Sequence, residues 1–196
     1  MSKANLRQIL SSKQLKAGNT LFIAVDGRGG SGKSTLAKWL AEKLGASLVQ
    51  TDDFATWDDP NWWPLVIERV FEPIKNGIKT LNYSRSSGWW DDHHPEPVVD
   101  QPITDIMILE GVSSSRKEFR DYISLSIFVN TPREISLRRG IERDSNTGKT
   151  EEEVTQMWEA WFKEEDNYIE RDNPKEHADI VVDGTKSFED QISIET

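Results

Sequence analysis

The run GRGGSGKS, residues 27–34, carries the first chemistry legible in the chain. Gly27, Gly32, Lys33 and Ser34 satisfy the pattern G-x-x-x-x-G-K-[ST], a loop whose backbone N–H groups can turn toward phosphate oxygens. Gly27, Gly29, Gly30, Ser31, Gly32, Lys33, Ser34 and Thr35 are therefore the expected nucleotide-binding residues. The Lys33 ammonium suits the β and γ phosphates, and the Ser34 hydroxyl suits a magnesium ion. Two later segments supply carboxylates: TDDF at 51–54 and EG at 110–111. A carboxylate beside such a loop anchors magnesium directly or through water, which fits Glu110 and brings Asp52 into the metal's expected surroundings. Phosphoryl transfer to an alcohol also needs a group that orients the hydroxyl and takes its proton, and Asp52 is assigned that role. In SLRRGIERD, Arg139 and Arg143 stand four residues apart on a helical pattern. Such a like-charge pair costs roughly a few tenths of a kcal/mol unless an anion lies beside it, so both are expected to face the transferring phosphate. Glu134 and Arg138 have the favourable order of an i,i+4 ion pair.

For these residues to meet, each must lie at the end of a strand or the start of a helix. LFIAV (21–25), SLVQ (47–50), IMIL (106–109), LSIFV (125–129) and DIVV (179–182) are short apolar runs without alternation, the pattern of strands buried on both faces. Helical periodicity covers 33–44, 62–75, 132–144 and 151–170, and MSKANLRQIL places Leu6, Ile9 and Leu10 on one face of a short helix. Thr131 with Glu134, and Thr150 with Glu153, read as capping boxes. Val154, Met157, Trp161 and Tyr168 fall at core spacing on the last long helix. This order predicts an α/β fold: one domain over residues 1–196, a three-layer doubly wound architecture with a parallel five-stranded sheet. Ligands of such sheets lie at the carboxyl ends of the strands, where the loop, Asp52 and Glu110 all fall.

Composition limits the partners. The formal charge is -10 over 196 residues, which disfavours a nucleic-acid binder, since that affinity rests on Lys and Arg. There is no cysteine, so no thiolate metal site or cysteine nucleophile is available. No window approaches the roughly 18 apolar residues of a membrane span, and the opening segment lacks an apolar leader core, so a cytoplasmic location is expected. The expected partner is a small-molecule substrate, with no nucleic acid and no membrane; a homo-oligomer is compatible with the sequence. His93 and His94 sit adjacent in a polar loop and read as solvated rather than metal-ligating. No N-K-x-D base-reading motif is present, which argues against a GTPase switch.

Taken together, DGRGGSGKST, TDDF, LEGV, RRGIERD and HADIVVDG resemble the uridine kinase family of P-loop nucleoside kinases, and more distantly nicotinamide riboside kinases and phosphoribulokinases. The resemblance implies the P-loop NTPase fold of nucleoside and nucleotide kinases with a mobile lid, the lid and substrate segments being about 52–100 and 138–170. It implies phosphorylation of a nucleoside 5'-hydroxyl, uridine or cytidine foremost, with ATP or GTP as donor and magnesium. It makes Asp52 the base and puts Ser34 and Glu110 at the metal. Asp58 in DDPN is similar to the family's sugar-binding Asp, and Tyr83 in NYSRSSGWW resembles its substrate Tyr, although the Asp and His that follow in the family are absent here. Arg85 and Trp89 of the same run complete the candidate substrate residues, Trp89 as a wall on which a flat base could stack. A kinase of another small alcohol, such as nicotinamide riboside or pantothenate, and a nucleotide-binding regulatory protein are the alternatives.

Overall fold

The computed structural model describes residues 3–56, 61–86, 98–145 and 148–194. Its centre is a five-stranded parallel sheet, in the order β3 (Ser47–Gln50), β6 (Ile106–Glu110), β2 (Leu21–Gly27), β7 (Leu125–Asn130), β8 (Ile180–Asp183). These are the five runs expected from sequence, in the α/β class expected. Successive residues of β2 point to opposite faces, and both faces are covered: Phe22 and Ala24 join one apolar cluster, Ile23 and Val25 the other. Burial on both sides is why these strands show no polar alternation.

The first face is covered by α3 (Trp63–Val66) and α4 (Glu72–Lys75), joined by a π-helical turn over Ile67–Phe71. Pro73 has no N–H to give to a carbonyl four residues back, so the expected single helix over 62–75 widens into a π turn just before it. Val66, Val70, Phe71 and Ile74 pack there against Phe22, Met107 and Phe119. The second face is covered by α2 (Lys33–Leu44), through Leu36, Ala37 and Leu40, and by α1 (Leu6–Ser11), through Leu6 and Leu10. The short strands β1 (Ala4–Asn5) and β9 (Ile192–Ser193) pair in parallel beside α1.

An antiparallel hairpin, β4 (Thr80–Ser84) with β5 (Val98–Pro102), was not among the sequence expectations. Its signal was present: Leu81 and Tyr83 are buried while Thr80, Asn82 and Ser84 are exposed, the alternation of a half-solvated sheet. Beyond β7 the chain forms α5 (Arg133–Asp144) and α6 (Glu151–Asp172), which share a third cluster of Val154, Trp158 and Phe162 with Leu137 and Ile141.

Three local expectations change. α6 buries Val154 and Tyr168 as expected, but its centre is Trp158 and Phe162, with Met157 and Trp161 only half-buried at the rim. Thr150 and Glu153 do form the capping box of α6, whereas Thr131 does not cap α5. The Thr131 hydroxyl donates instead to the Ser31 carbonyl at 2.9 Å, because the phosphate loop packs against it. Arg138 lies 3.8 Å from Glu142 in an exposed pair, on the turn opposite to Glu134. Among the described residues no helix is long and apolar enough to cross a membrane.

Candidate active site

Sheet register brings the site together. Val25 is opposite Glu110, and Glu110 is opposite Gln50, so β2, β6 and β3 end side by side. β2 is also where the crossovers diverge to either side of the sheet, the position at which open α/β sheets bind ligands. The loop leaving β2 enters α2 through Gly32, which has a left-handed backbone (φ 101°) and offers no side-chain cap. The first-turn N–H groups of α2 therefore face the cleft without a side-chain partner at the N-cap, as an anion site requires.

The loop is gripped from outside. A Cβ on Gly30, whose φ is 72°, would lie 2.1 Å from the Ser136 carbonyl of α5, so only glycine fits. Thr131 holds Ser31 as described above. Lys33 folds back over the loop, its Nζ 3.4 Å from the Arg28 carbonyl. Gly30, Gly32, Lys33, Ser34, Thr35, Arg139, Arg143 and the segment Gly184–Lys186 line a cleft of about 470 Å³. Arg139 donates to the Gly184 carbonyl at 3.0 Å, and Arg143 lies 5.2 Å over the Trp158 ring while pairing with Asp144 at 2.7 Å. Sequence reasoning named both arginines and missed Thr185 and Lys186, which follow the quoted HADIVVDG directly.

The carboxylates converge on the same edge. Buried Glu110 accepts the Ser34 hydroxyl at 2.9 Å and the Gln50 amide at 3.2 Å. Asp52 follows β3 in a short helical turn over Thr51–Asp53 and stays open to solvent. The protein packed around it still raises its carboxyl above the ordinary range; Lys33 and Arg143 pull it down, while Glu110 and Asp53 push it up. Those four groups are thus its electrostatic neighbours. The Ser34–Glu110 pair is the hard-oxygen set that a magnesium ion accepts, and among the described residues no cluster of three or more acidic or histidine side chains encloses an ion. A magnesium ion takes one or two protein ligands of this kind and completes its shell with phosphate and water.

Asp53 rather than Asp52 engages the expected substrate residues. It is buried and accepts the Tyr83 hydroxyl and the Arg85 guanidinium, each at 2.7 Å. Burial, followed by the neighbouring Asp53 charge, raises the Tyr83 hydroxyl far above its ordinary range. Asp58 and Trp89 lie outside the described residues, as do Trp90, His93 and His94.

Asp26 at the end of β2 was not singled out by the sequence reading. It accepts five hydrogen bonds, from Gly27 N–H (2.7 Å), Ser113 N–H (3.1 Å), Ser115 N–H (2.8 Å), the Ser115 hydroxyl (2.6 Å) and the Tyr168 hydroxyl (2.6 Å). Burial raises its carboxyl, and the Ser115 and Tyr168 hydroxyls are the main groups opposing that. It ties β2, the turn after β6, and α6 into one unit under the phosphate loop. Asp26→Asn turns one acceptor into a donor facing at least one backbone N–H. It is expected to destabilise by about 3 kcal/mol and lower Tm by roughly 6–12 °C, as read by thermal denaturation at neutral pH.

A family profile described as the Phosphoribulokinase / Uridine kinase family matches residues 65–189. A uridine kinase of Halobacterium salinarum is 26% identical over 199 residues, covering 89% of this chain and 87% of its own length. One of Lactobacillus johnsonii is 28% identical over 188 residues, covering 83% and 85%. A solved structure described as a "Possible Uridine Kinase" from Bacillus stearothermophilus aligns with a TM-score of 0.59 at 22% identity, covering 90% of this chain and 94% of its own, a likeness of fold. The profile begins well after the phosphate loop, so the reading of that loop rests on its own residues.

Proposed function

Because the chain belongs to the phosphoribulokinase / uridine kinase family and is a phosphotransferase acting on an alcohol, we propose that it transfers the γ-phosphoryl of ATP to the 5'-hydroxyl of a nucleoside, uridine or cytidine foremost. The observation that carries this reading is the convergence of Lys33, Ser34, Glu110 and the solvent-open Asp52 on one sheet edge. Names of the relatives supply the substrate class.

In this reading Asp52 orients the acceptor hydroxyl and takes its proton as the hydroxyl oxygen bonds to the γ phosphorus. The bond from that phosphorus to the β–γ bridging oxygen breaks, and ADP leaves. Lys33, Arg139 and Arg143 offset the charge on the transferring group. Ser34 and Glu110 would hold magnesium, which when bound neutralises charge on the β and γ phosphate oxygens. Residues 52–100 supply the acceptor side and 138–170 the lid.

One observation favours a second reading, a kinase of another small alcohol such as nicotinamide riboside or pantothenate. The Tyr83 hydroxyl is donated to Asp53, and the Asp and His that follow this Tyr in the resembled family are absent, so the family's acceptor contacts are not reproduced here. The deciding experiment is acceptor-dependent ADP release from ATP and magnesium, across nucleosides and these two alcohols. Stimulation by uridine or cytidine is the expected result. Stimulation only by nicotinamide riboside or pantothenate establishes the second reading, and silence across the panel defeats both.

A further inference from the structure

α6 lies along the first half of the phosphate loop, and its contacts there exceed what packing needs. Asp166 pairs with Arg28 at 2.5 Å, and the Arg28 guanidinium stands 5.6 Å over the Phe162 ring. Trp158 closes on Gly29 so tightly that a Cβ there would lie 2.7 Å from the ring. Between them Glu165 accepts the Gly29 N–H at 3.0 Å through Oε1. Its other oxygen, Oε2, is buried with no hydrogen-bond partner among the described residues, in a residue only 8% exposed. A solitary buried carboxylate oxygen beside an anion-binding loop is costly if the group is ionised, and becomes a hydrogen-bond donor if it is neutral.

We infer that Glu165 is a positioning residue of the phosphate loop that takes up a proton when a nucleotide polyphosphate docks, holding the Gly29 N–H through one oxygen and presenting an O–H through the other. The inference rests on the loop being the nucleotide site, as proposed above.

The charged groups facing Glu165 are Lys33 and Arg28, from the loop and the start of α2, and Asp166 from its own helix. Burial, the largest influence, pushes the carboxyl up to about 7, with Lys33, the Gly29 N–H and Arg28 opposing and Asp166 assisting. An arriving polyphosphate engages Lys33 and adds negative charge nearby. Both changes favour the neutral acid, so the bound state holds its proton to higher pH than the free state. The sign follows: below about 7 the carboxyl is already neutral and binding moves no proton, whereas above it binding must take one up and affinity falls as pH rises.

The test is calorimetric titration of the full chain with the β,γ-imido analogue of ATP and magnesium, in buffers of contrasting ionisation enthalpy. At pH 7.5 the wild type is expected to take up about 0.75 proton more than Glu165→Gln, which mimics the neutral acid. Between pH 7 and 8.5 its Kd should rise about tenfold, against about twofold or less for Glu165→Gln. A purely structural Glu165 would give equal proton counts and parallel pH profiles in the two proteins, and that result overturns the inference. If Glu165→Gln does not fold, the wild-type count decides: no proton uptake at pH 7.5 also overturns it. Wild-type heats no different from those of Lys33→Ala would show that the loop holds no nucleotide, which removes the functional reading itself.

Discussion

Replacing Asp52 with Asn is expected to lower kcat by about a thousandfold while the Kd for the donor nucleotide stays within about threefold of wild type. Asn keeps the shape of the side chain and its place in the turn after β3, but cannot accept the acceptor's proton. The carboxylate of Asp52 is poised by opposed influences: the protein packed around it, Glu110 and Asp53 raise it, Lys33 and Arg143 lower it. Steady-state ADP release with the identified acceptor gives kcat, and equilibrium titration with the donor gives Kd. The two measurements belong together because Asp52 is both the expected base and part of the metal's expected surroundings. A base affects the chemical step, whereas a metal anchor would weaken binding of the magnesium nucleotide as well. A loss in kcat smaller than about tenfold would remove Asp52 from the proton transfer.

Lys33→Ala is expected to lower kcat/KM by at least about a thousandfold and to weaken donor binding in parallel. Lys33 rests against the Arg28 carbonyl and projects its charge on Asp52 from one side and on Glu165 from the other. Its removal takes away the cation expected at the β and γ phosphates and leaves two carboxyls less compensated. Lys33→Arg is expected to restore less than about tenfold of the loss, because a planar fork cannot occupy the site of a compact ammonium under a closely fitted loop. Full activity in Lys33→Arg would mean that net charge alone matters there. Full activity in Lys33→Ala would place the transferred phosphate elsewhere.

The sheet and the edge that bears the site were readable because burial on both faces leaves uninterrupted apolar runs, and because the carboxylates and the glycine-rich loop immediately follow them. The phosphate loop, Asp52 and Glu110 needed no knowledge of the third dimension beyond that rule. Glu165 was unreadable for a physical reason. A carboxylate in KEEDN looks like solvated helix surface, and only the loop packed over α6 makes it a buried partner of Gly29. Thr131 misled similarly: its spacing to Glu134 is that of a cap, but its hydroxyl had a nearer demand in the Ser31 carbonyl. Tyr83 lay in a strand with clear alternation, yet its partner, Asp53, comes from thirty residues earlier and could not be chosen over an acceptor from spacing alone.

The pairing of Val25, Glu110 and Gln50 across three strands sets which changes of length the molecule tolerates. Deleting one residue from β6 would turn Ile108 and Leu109 to each other's faces and draw Glu110 away from Ser34, damaging core and chemistry in one step. Insertions at positions 57–60, beyond the buried Phe54 and Ala55, or between β4 and β5 fall outside the three paired strands in sequence and leave their register unchanged. Selection for a new acceptor is therefore free to work by lengthening and shortening those two stretches, while the strands beneath admit exchange of side chains but not of residue count.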